Sequence, residues 1–408
     1  MTLRKISGTR RGRPITGRPR FFVRKGPIPG ERRRPPRLGL SSVWRYHPST
    51  DPIPIFARIQ EFFAMKAALL EAPHKMTVGG QPDPELRPGE VIVDVATSAI
   101  CGTDVSIWAG KMPANIPVIP GHECTGTVAR LGEGVTRLAL GDRVVLNPVT
   151  ACGVCHYCMR ALTNLCLNGG LRGREVPGTF AELIAVKETE AYRIPDNVGF
   201  AAATNFVGLY TVVYSQRKAP YIPGGSVAVI GQGSSGLLHT QLAKVSGASL
   251  VIAVTRSKWK LEMAQKLGAD EIVPAGECDP VERVRELTGG LGADVVIETA
   301  GTNQTMVQAY EMVRPGGAIL QFGIGPAEVG GIPAQAYYFK DISVIGSRAG
   351  LAEDFDRSIA LVASGQIDLA LIVTHYFPLD DIQKGFEFIE GGGDGGTLRG
   401  VVRIGEKG

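Results

Sequence analysis

The sequence predicts an α/β protein in which a doubly wound parallel sheet is joined to a β-rich unit. Two observations carry this. From about residue 208 onward, short apolar runs alternate with helical stretches, the pattern of strands covered by helices on both faces. From Met65 to about Leu146, β-rich runs are instead cut by turns. A third observation sets limits. The chain has 408 residues, and at about 150 residues per domain this gives two or three domains. With 44% hydrophobic residues it has ample material for packed cores.

The elements follow in order. Met65-Lys66-Ala67-Ala68-Leu69-Leu70, Val91–Val95 and Asp142–Leu146 read as strands, punctuated by Gly132-Glu133-Gly134 and Leu140-Gly141-Asp142. Val227–Ile230 is a buried-strand run, followed by a glycine-rich turn and a helix over Leu237–Ser246. Leu250–Val254, Glu271–Val273 and Asp294–Ile297 continue the sheet, with helices over Lys258–Leu267 and Val281–Leu287 between them. A helix over Ala352–Ser364 and a strand over Gly400–Ile404 close the chain.

The formal net charge of +5 is unevenly spread. Residues 1–64 hold 15 basic and 3 acidic groups, a net of +12, with nine Pro and six Gly. The remaining 344 residues hold 29 basic and 36 acidic groups, a net of −7. The first segment is expected to be a disordered basic extension, since like charges repel and Pro interrupts helices and central strands. A transit peptide, a nucleic-acid-binding arm and a start upstream of the true one at Met65 are its alternative readings. An acidic body argues against nucleic acid as a partner of the main domains. No run of ~18 apolar residues suits a membrane span, and no apolar run of a secretory signal follows the early charges. A cytoplasmic location is therefore expected.

Seven cysteines stand at 101, 124, 152, 155, 158, 166 and 278. Cys152, Cys155 and Cys158 form two consecutive Cys-x-x-Cys steps, and Cys166 follows eight residues later. Three thiolates on one tight loop with a fourth nearby suit a closed, structural zinc site. A disulfide cluster and an iron–sulfur site are the alternatives. Cys101 lies in Ile100-Cys101-Gly102-Thr103-Asp104, and Gly121-His122-Glu123 follows about twenty residues later. Together these offer sulfur, nitrogen and oxygen donors, as a catalytic zinc with one open position requires. The glycine turn Gly231-Gln232-Gly233-Ser234-Ser235-Gly236 follows a strand and opens a helix, the context of a dinucleotide-binding fingerprint. At the end of the next strand stands Thr255-Arg256-Ser257-Lys258. No carboxylate is available there for the ribose hydroxyls of NAD, and cations are available for a 2′-phosphate, which favours NADP over NAD.

In this order these motifs resemble the zinc-dependent medium-chain dehydrogenases of the alcohol, sorbitol and threonine dehydrogenase superfamily. The likeness runs from Met65 to the C-terminus. It implies a GroES-like catalytic domain over 65–207 with a structural zinc lobe at 150–168, a Rossmann NAD(P)-binding domain over 208–346, and a return to the catalytic domain over 347–408. It implies two zinc ions per chain, NADP or NAD, and a homo-oligomer (dimer or tetramer). By resemblance Cys101 and His122 are catalytic zinc ligands. The family's next ligand position falls on Val207, which cannot bind metal. The sorbitol-dehydrogenase-like branch uses the Glu of Gly-His-Glu, so Glu123 is assigned as third ligand. The alternative places Glu123 behind the ligands, with Asn205 or Thr204 near the metal. Thr103 matches the hydroxyl that bonds the substrate oxygen and starts the proton relay, while Ser106 replaces the histidine many relatives carry. Gly231, Gly233, Ser235, Gly236, Thr255, Arg256 and Lys258 are the cofactor-binding candidates. Arg399 aligns with a pyrophosphate-contacting arginine. Trp108 and Phe206 are candidates for the substrate pocket wall. The implied activity is hydride transfer between an alcohol or polyol, or its carbonyl product, and NAD(P). A carbonyl or enal reductase is the alternative within the superfamily, and a non-catalytic binding protein on this scaffold is the third reading.

Overall fold

The structure, a computed structural model, describes residues 64–220, 223–332 and 334–405. Apart from Ala64, the basic extension expected over 1–64 lies outside the described residues. The first part of the chain is β-rich. It comprises β1 (Ala64–Ala72), β2 (Lys75–Pro82), β3 (Glu90–Ile100), helix α1 (Gly102–Trp108), β4 (Glu123–Leu131), β5 (Arg143–Leu146), β6 (Val149–Thr150), β7 (Gly170–Leu171), β8 (Leu183–Lys187) and β9 (Ala191–Arg193). Two helices, α2 (Phe200–Ala203) and α3 (Phe206–Gln216), lead onward. The alternating part runs through β10 (Ser226–Ile230), α4 (Ser234–Val245), β11 (Leu250–Thr255), α5 (Lys258–Lys266), β12 (Glu271–Pro274), α6 (Pro280–Leu287), β13 (Ala293–Glu298), α7 (Asn303–Met312), β14 (Val313–Gln321), α8 (Ala334–Lys340) and β15 (Ser343–Gly346). The chain ends with α9 (Ala352–Ala363), β16 (Val373–Pro378), α10 (Ile382–Glu390) and β17 (Arg399–Arg403).

The alternating part forms a six-stranded parallel sheet in the order β12-β11-β10-β13-β14-β15. The central strands are apolar along almost their whole length because helices cover both faces. Val227–Ile230 and Val251–Val254 are all buried. The strand order reverses between β10 and β13, and the crevice above that point is where such sheets bind ligands. The seven-stranded sheet takes β16 and β17 from the far end of the chain, in the order β16-β17-β3-β4-β5-β9 with β8 also pairing β3. β3 is its spine, flanked antiparallel by β4 and β17.

One core cluster ties the seven-stranded sheet to the helices α3, α4 and α9. Val145 and Tyr192 from the seven-stranded sheet, Phe206 to Val213 on α3, Leu238 and Leu242 on α4, and Phe355 on α9 share it. Within it Phe355 stacks on Tyr210 at 4.1 Å and on Tyr192 at 4.4 Å between ring centroids. Each such pair contributes about 0.5–1.5 kcal/mol beyond simple burial. The helix that follows the glycine turn is thereby fixed against the sheet at whose end Cys101, His122 and Glu123 lie.

His239 on α4 is fully buried beside this core. Its Nδ1 lies 3.0 Å from Gln216 Nε2, and its ring meets Phe322 edge-on at 4.6 Å. Burial pushes its pKa from 6.5 down to about 3. Between these values the unfolded chain binds a proton that the folded chain refuses, so stability falls as pH drops through this window. H239Q removes that linkage. The stability advantage of the parent over H239Q in urea titrations is expected to shrink by about 2 kcal/mol between pH 7 and pH 5. A pH-independent difference would refute the assignment.

Candidate active site and metal centres

The register of three strands builds the first site. β3 pairs Ala99 with Glu123 on β4, and Ile100 with Gly400 on β17. The residues just beyond these pairs, Cys101, His122 and Arg399, therefore converge with Glu123 at one end of the sheet. Sulfur, imidazole and carboxylate donors of Cys101, His122 and Glu123 lie within 4.8 Å of one another. Gly121 enters this corner at φ +92°, and a Cβ there would stand 2.8 Å from the Phe180 ring and Thr179 Oγ1.

Asp104 organises the pocket from the first turn of α1. Its Oδ2 accepts from the Cys101 backbone N–H at 2.9 Å, and its Oδ1 lies 2.9 Å from His122 Nδ1. That contact leaves Nε2 of His122 as the donor for a metal and fixes the ring's orientation. Burial opposes charge on His122, but Asp104 and Cys101 outweigh it and hold its pKa well above 6.5. Asp104 has no place among the sequence-derived site residues. The signal is present, because a carboxylate three residues after Cys101 has capping-box spacing.

Arg399 completes the pocket. Its Nη1 donates to Glu123 Oε2 at 2.5 Å, with both side chains almost fully buried. Oε1 of Glu123 makes no hydrogen bond among the described residues. With Cys101 as thiolate and His122 neutral, the states a metal ligand must take, three anionic groups stand near one guanidinium, a shortfall of about two positive charges that suits a divalent metal. Arg399 also faces the cofactor helix. A Cβ on Gly208 would stand 3.1 Å from Leu238 on α4 and 3.6 Å from Arg399 Nη2. Its Nε is buried without a partner, a donor left over for an anion.

Val207 is buried in the shared core, consistent with its exclusion as a ligand. Thr204 Oγ1 donates to Ala201 O at 2.7 Å. Asn205 Nδ2 donates to Leu369 O at 3.3 Å, and its Oδ1 is buried without a partner. Thr103 Oγ1 makes no hydrogen bond among the described residues. Ser106 Oγ donates back to Gly102 O at 2.9 Å and is committed to its own helix. Trp108 and Phe206 are corrections to the expected pocket wall: both are buried in cores, Trp108 against His74 and Phe386 and Phe206 within the shared cluster.

The second cluster is the lobe between β6 and β7. The sulfurs of Cys152, Cys155, Cys158 and Cys166 lie within 4.8 Å of one another. All seven cysteines are free. Backbone N–H groups of Leu167 and Cys158 pull the Cys155 thiol down to about 6, whereas burial pushes Cys158 up to about 11. Four sulfurs converge without an open position.

The cofactor candidates meet at the reversal of strand order. Gly231 has φ +89°, and a Cβ there would stand 2.8 Å from Thr299 Oγ1. On Gly236 a Cβ would stand 2.0 Å from Gly231 O, so this close approach requires glycine. Gly233 precedes α4 with nothing within 4 Å of a Cβ position. The turn thus leaves open space at a helix N-terminus, which fits a pyrophosphate. Ser235 lies in the first turn of α4, and Thr255 ends β11. Arg256 is exposed without an ion pair among the described residues, while Lys258 Nζ pairs with Glu277 at 2.7 Å.

Comparison with known proteins agrees with this layout. Residues 87–196 match the alcohol dehydrogenase GroES-like domain, and residues 236–364 match the zinc-binding dehydrogenase family. D-xylulose reductase A of Aspergillus oryzae is 31% identical over 334 residues, 79% of this chain and 93% of that protein. L-threonine 3-dehydrogenase of Bacillus subtilis is 33% identical over 321 residues, 76% of this chain and 91% of that protein. Among solved structures, the alcohol dehydrogenase TADH from Thermus sp. ATN1 superposes with a TM-score of 0.78 at 33% identity, covering 84% of this chain and all of that one. Sequence, sheet topology and relatives together identify the chain as a member of the zinc-dependent medium-chain dehydrogenase family, an NAD(P)-linked alcohol or polyol dehydrogenase.

Proposed function

We propose that Cys101, His122 and Glu123 hold a catalytic zinc, that Cys152, Cys155, Cys158 and Cys166 hold a structural one, and that NADP is the preferred cofactor. The convergence of sulfur, nitrogen and oxygen donors in a buried pocket carries this reading. When bound, zinc supplies a Lewis acid for the substrate oxygen and NAD(P) supplies the hydride acceptor or donor. Asp104 holds His122 in the tautomer that presents Nε2. Arg399 holds Glu123 through Oε2 and leaves Oε1 toward the other donors. Thr103, with its hydroxyl unengaged, bonds the substrate oxygen and passes its proton outward. Ser106 is turned away, so water completes that path. Gly231, Gly233, Ser235 and Gly236 receive the pyrophosphate, Thr255 and Arg256 the adenosine end, and Arg399 contributes its unpaired Nε. Lys258 shares its charge with Glu277 and assists less. Free cysteines throughout suit a reducing compartment such as the cytoplasm.

We further propose a homo-oligomer. β15 is the outer strand at one edge of the parallel sheet. Val344 on it and Tyr338, Phe339 and Ile324 near it are exposed. An uncovered edge with apolar neighbours suits twofold pairing with a second copy.

Three measurements test these readings. The purified chain is expected to hold about two zinc ions and to oxidise an alcohol or polyol with NADP in preference to NAD. One zinc and no turnover across an alcohol panel would sink the catalytic assignment. D104N is expected to weaken the more labile zinc by about 10- to 100-fold in chelator titrations, with the four-cysteine zinc retained. Equal loss of both ions would contradict the role given to Asp104. V344K is expected to yield monomers in sedimentation. An unchanged sedimentation coefficient would remove β15 from the interface.

A further inference from the structure

Glu298 ends β13 beside the crevice, and its side chain is fully buried. No cation pairs with it among the described residues. Its Oε1 accepts from the backbone N–H groups of Ala300 and Gly301 at 2.8 Å each, with Thr305 Oγ1 also at 2.8 Å. Its Oε2 accepts from Gln321 Nε2 at 3.0 Å. Two backbone N–H groups and the Gln321 Nε2 amino group, which also donates to Gly323 O, can only donate; with a hydroxyl beside them they fit an ionised carboxylate. A buried anion without a counter-ion is costly and calls for compensation.

The crevice suggests where that comes from. Glu298 pairs in register with Ile230, the residue before the glycine turn. Thr299 next to it donates toward Ile230 O and Gly231 O at 3.0 Å. The carboxylate therefore stands at the reversal of strand order, on the β13–β14 side. A dinucleotide crosses this point with one half on each side. Its adenosine half belongs over β11, near Arg256, which leaves the nicotinamide half for the side where Glu298 lies. The oxidised nicotinamide ring is a cation and the reduced ring is neutral.

We propose that Glu298 is a positioning and charge-setting residue of the nicotinamide half-site, whose buried carboxylate favours the oxidised over the reduced cofactor. This rests on the reading of the crevice as the NAD(P) site. The zinc-loaded full chain is tested by measuring Kd for NADP+ and NADPH by calorimetry. E298Q keeps the shape and removes the charge. Q321K keeps the carboxylate and places an ammonium against Oε2, so it carries the test should E298Q fail to fold. In both variants the ratio of Kd for NADP+ to Kd for NADPH is expected to rise by about three- to tenfold, the size of one partly screened charge. Equal weakening of both forms would reduce Glu298 to a structural role and overturn the proposal. If the parent chain binds neither form, the dinucleotide reading itself falls and takes this proposal with it.

Discussion

The buried pair between Glu123 and Arg399 is the constraint on which the rest of the site depends. These residues are 276 positions apart. Neither charge would be tolerated alone in so dry a pocket. Removing one partner of such a pair costs about 3–5 kcal/mol. The pair therefore requires β17 to return beside β3, and the catalytic half of the molecule is finished only when the last strand is in place. The same guanidinium lies near Cys101 and beside Gly208 on α3. One side chain thus lies near the Glu123 carboxylate, the Cys101 sulfur and the helix that packs on α4. A side chain at 208 would crowd Leu238 Cδ1 at 3.1 Å and meet Arg399 Nη2 in ordinary contact at 3.6 Å.

The cofactor crevice is held by the same logic of polar groups with no room to move. Thr299 ties the glycine turn to β13, and Glu298 ties the following loop, α7 and β14 together. A Cβ at Gly323 would stand 2.5 Å from Gly301 N and 2.8 Å from Glu298 Oε2. The floor of the crevice is thus set by backbone packing and one carboxylate. The shared aromatic core then fixes the crevice relative to the metal pocket.

Much of the fold is legible in the sequence. Strands made of continuous apolar runs, such as Val227–Ile230 and Leu250–Val254, stand out because both their faces are buried. The two donor clusters are legible because groups that are to share one ion must be spaced to converge. What was not legible has physical reasons. The sequence reading assigns no element between 298 and 346, where the structure has α7, β14, α8 and β15. Arg314-Pro315-Gly316-Gly317 opens β14 with residues that oppose a strand, and tertiary pairing to β13 overrides them. Asp104 and Glu298 escaped notice because their partners are backbone amides and distant side chains, which leave no spacing pattern. Arg399 was legible only as a cofactor contact. Its pairing with Glu123 depends on two strands meeting across β3, and local sequence cannot express that.

Charge placement explains how an acidic body handles an anionic dinucleotide. The body carries a net of −7, so bulk attraction cannot concentrate the cofactor at the crevice. Its negative groups are nevertheless segregated. Asp104 and Glu123 stand in the buried pocket with Cys101 and His122, and Glu298 stands at the reversal of strand order, held by hydrogen-bond donors and without a paired cation among the described residues. At the glycine turn Gly233 faces open space, and the N-terminus of α4 supplies the positive end of a helix dipole. Arg256, just after β11, is exposed and makes no ion pair among the described residues. Buried carboxylates and outward backbone amides thus give different parts of the crevice local fields of opposite sign, whatever the sum over the chain. This is why the formal +5 of the whole sequence says little about the chemistry of the site.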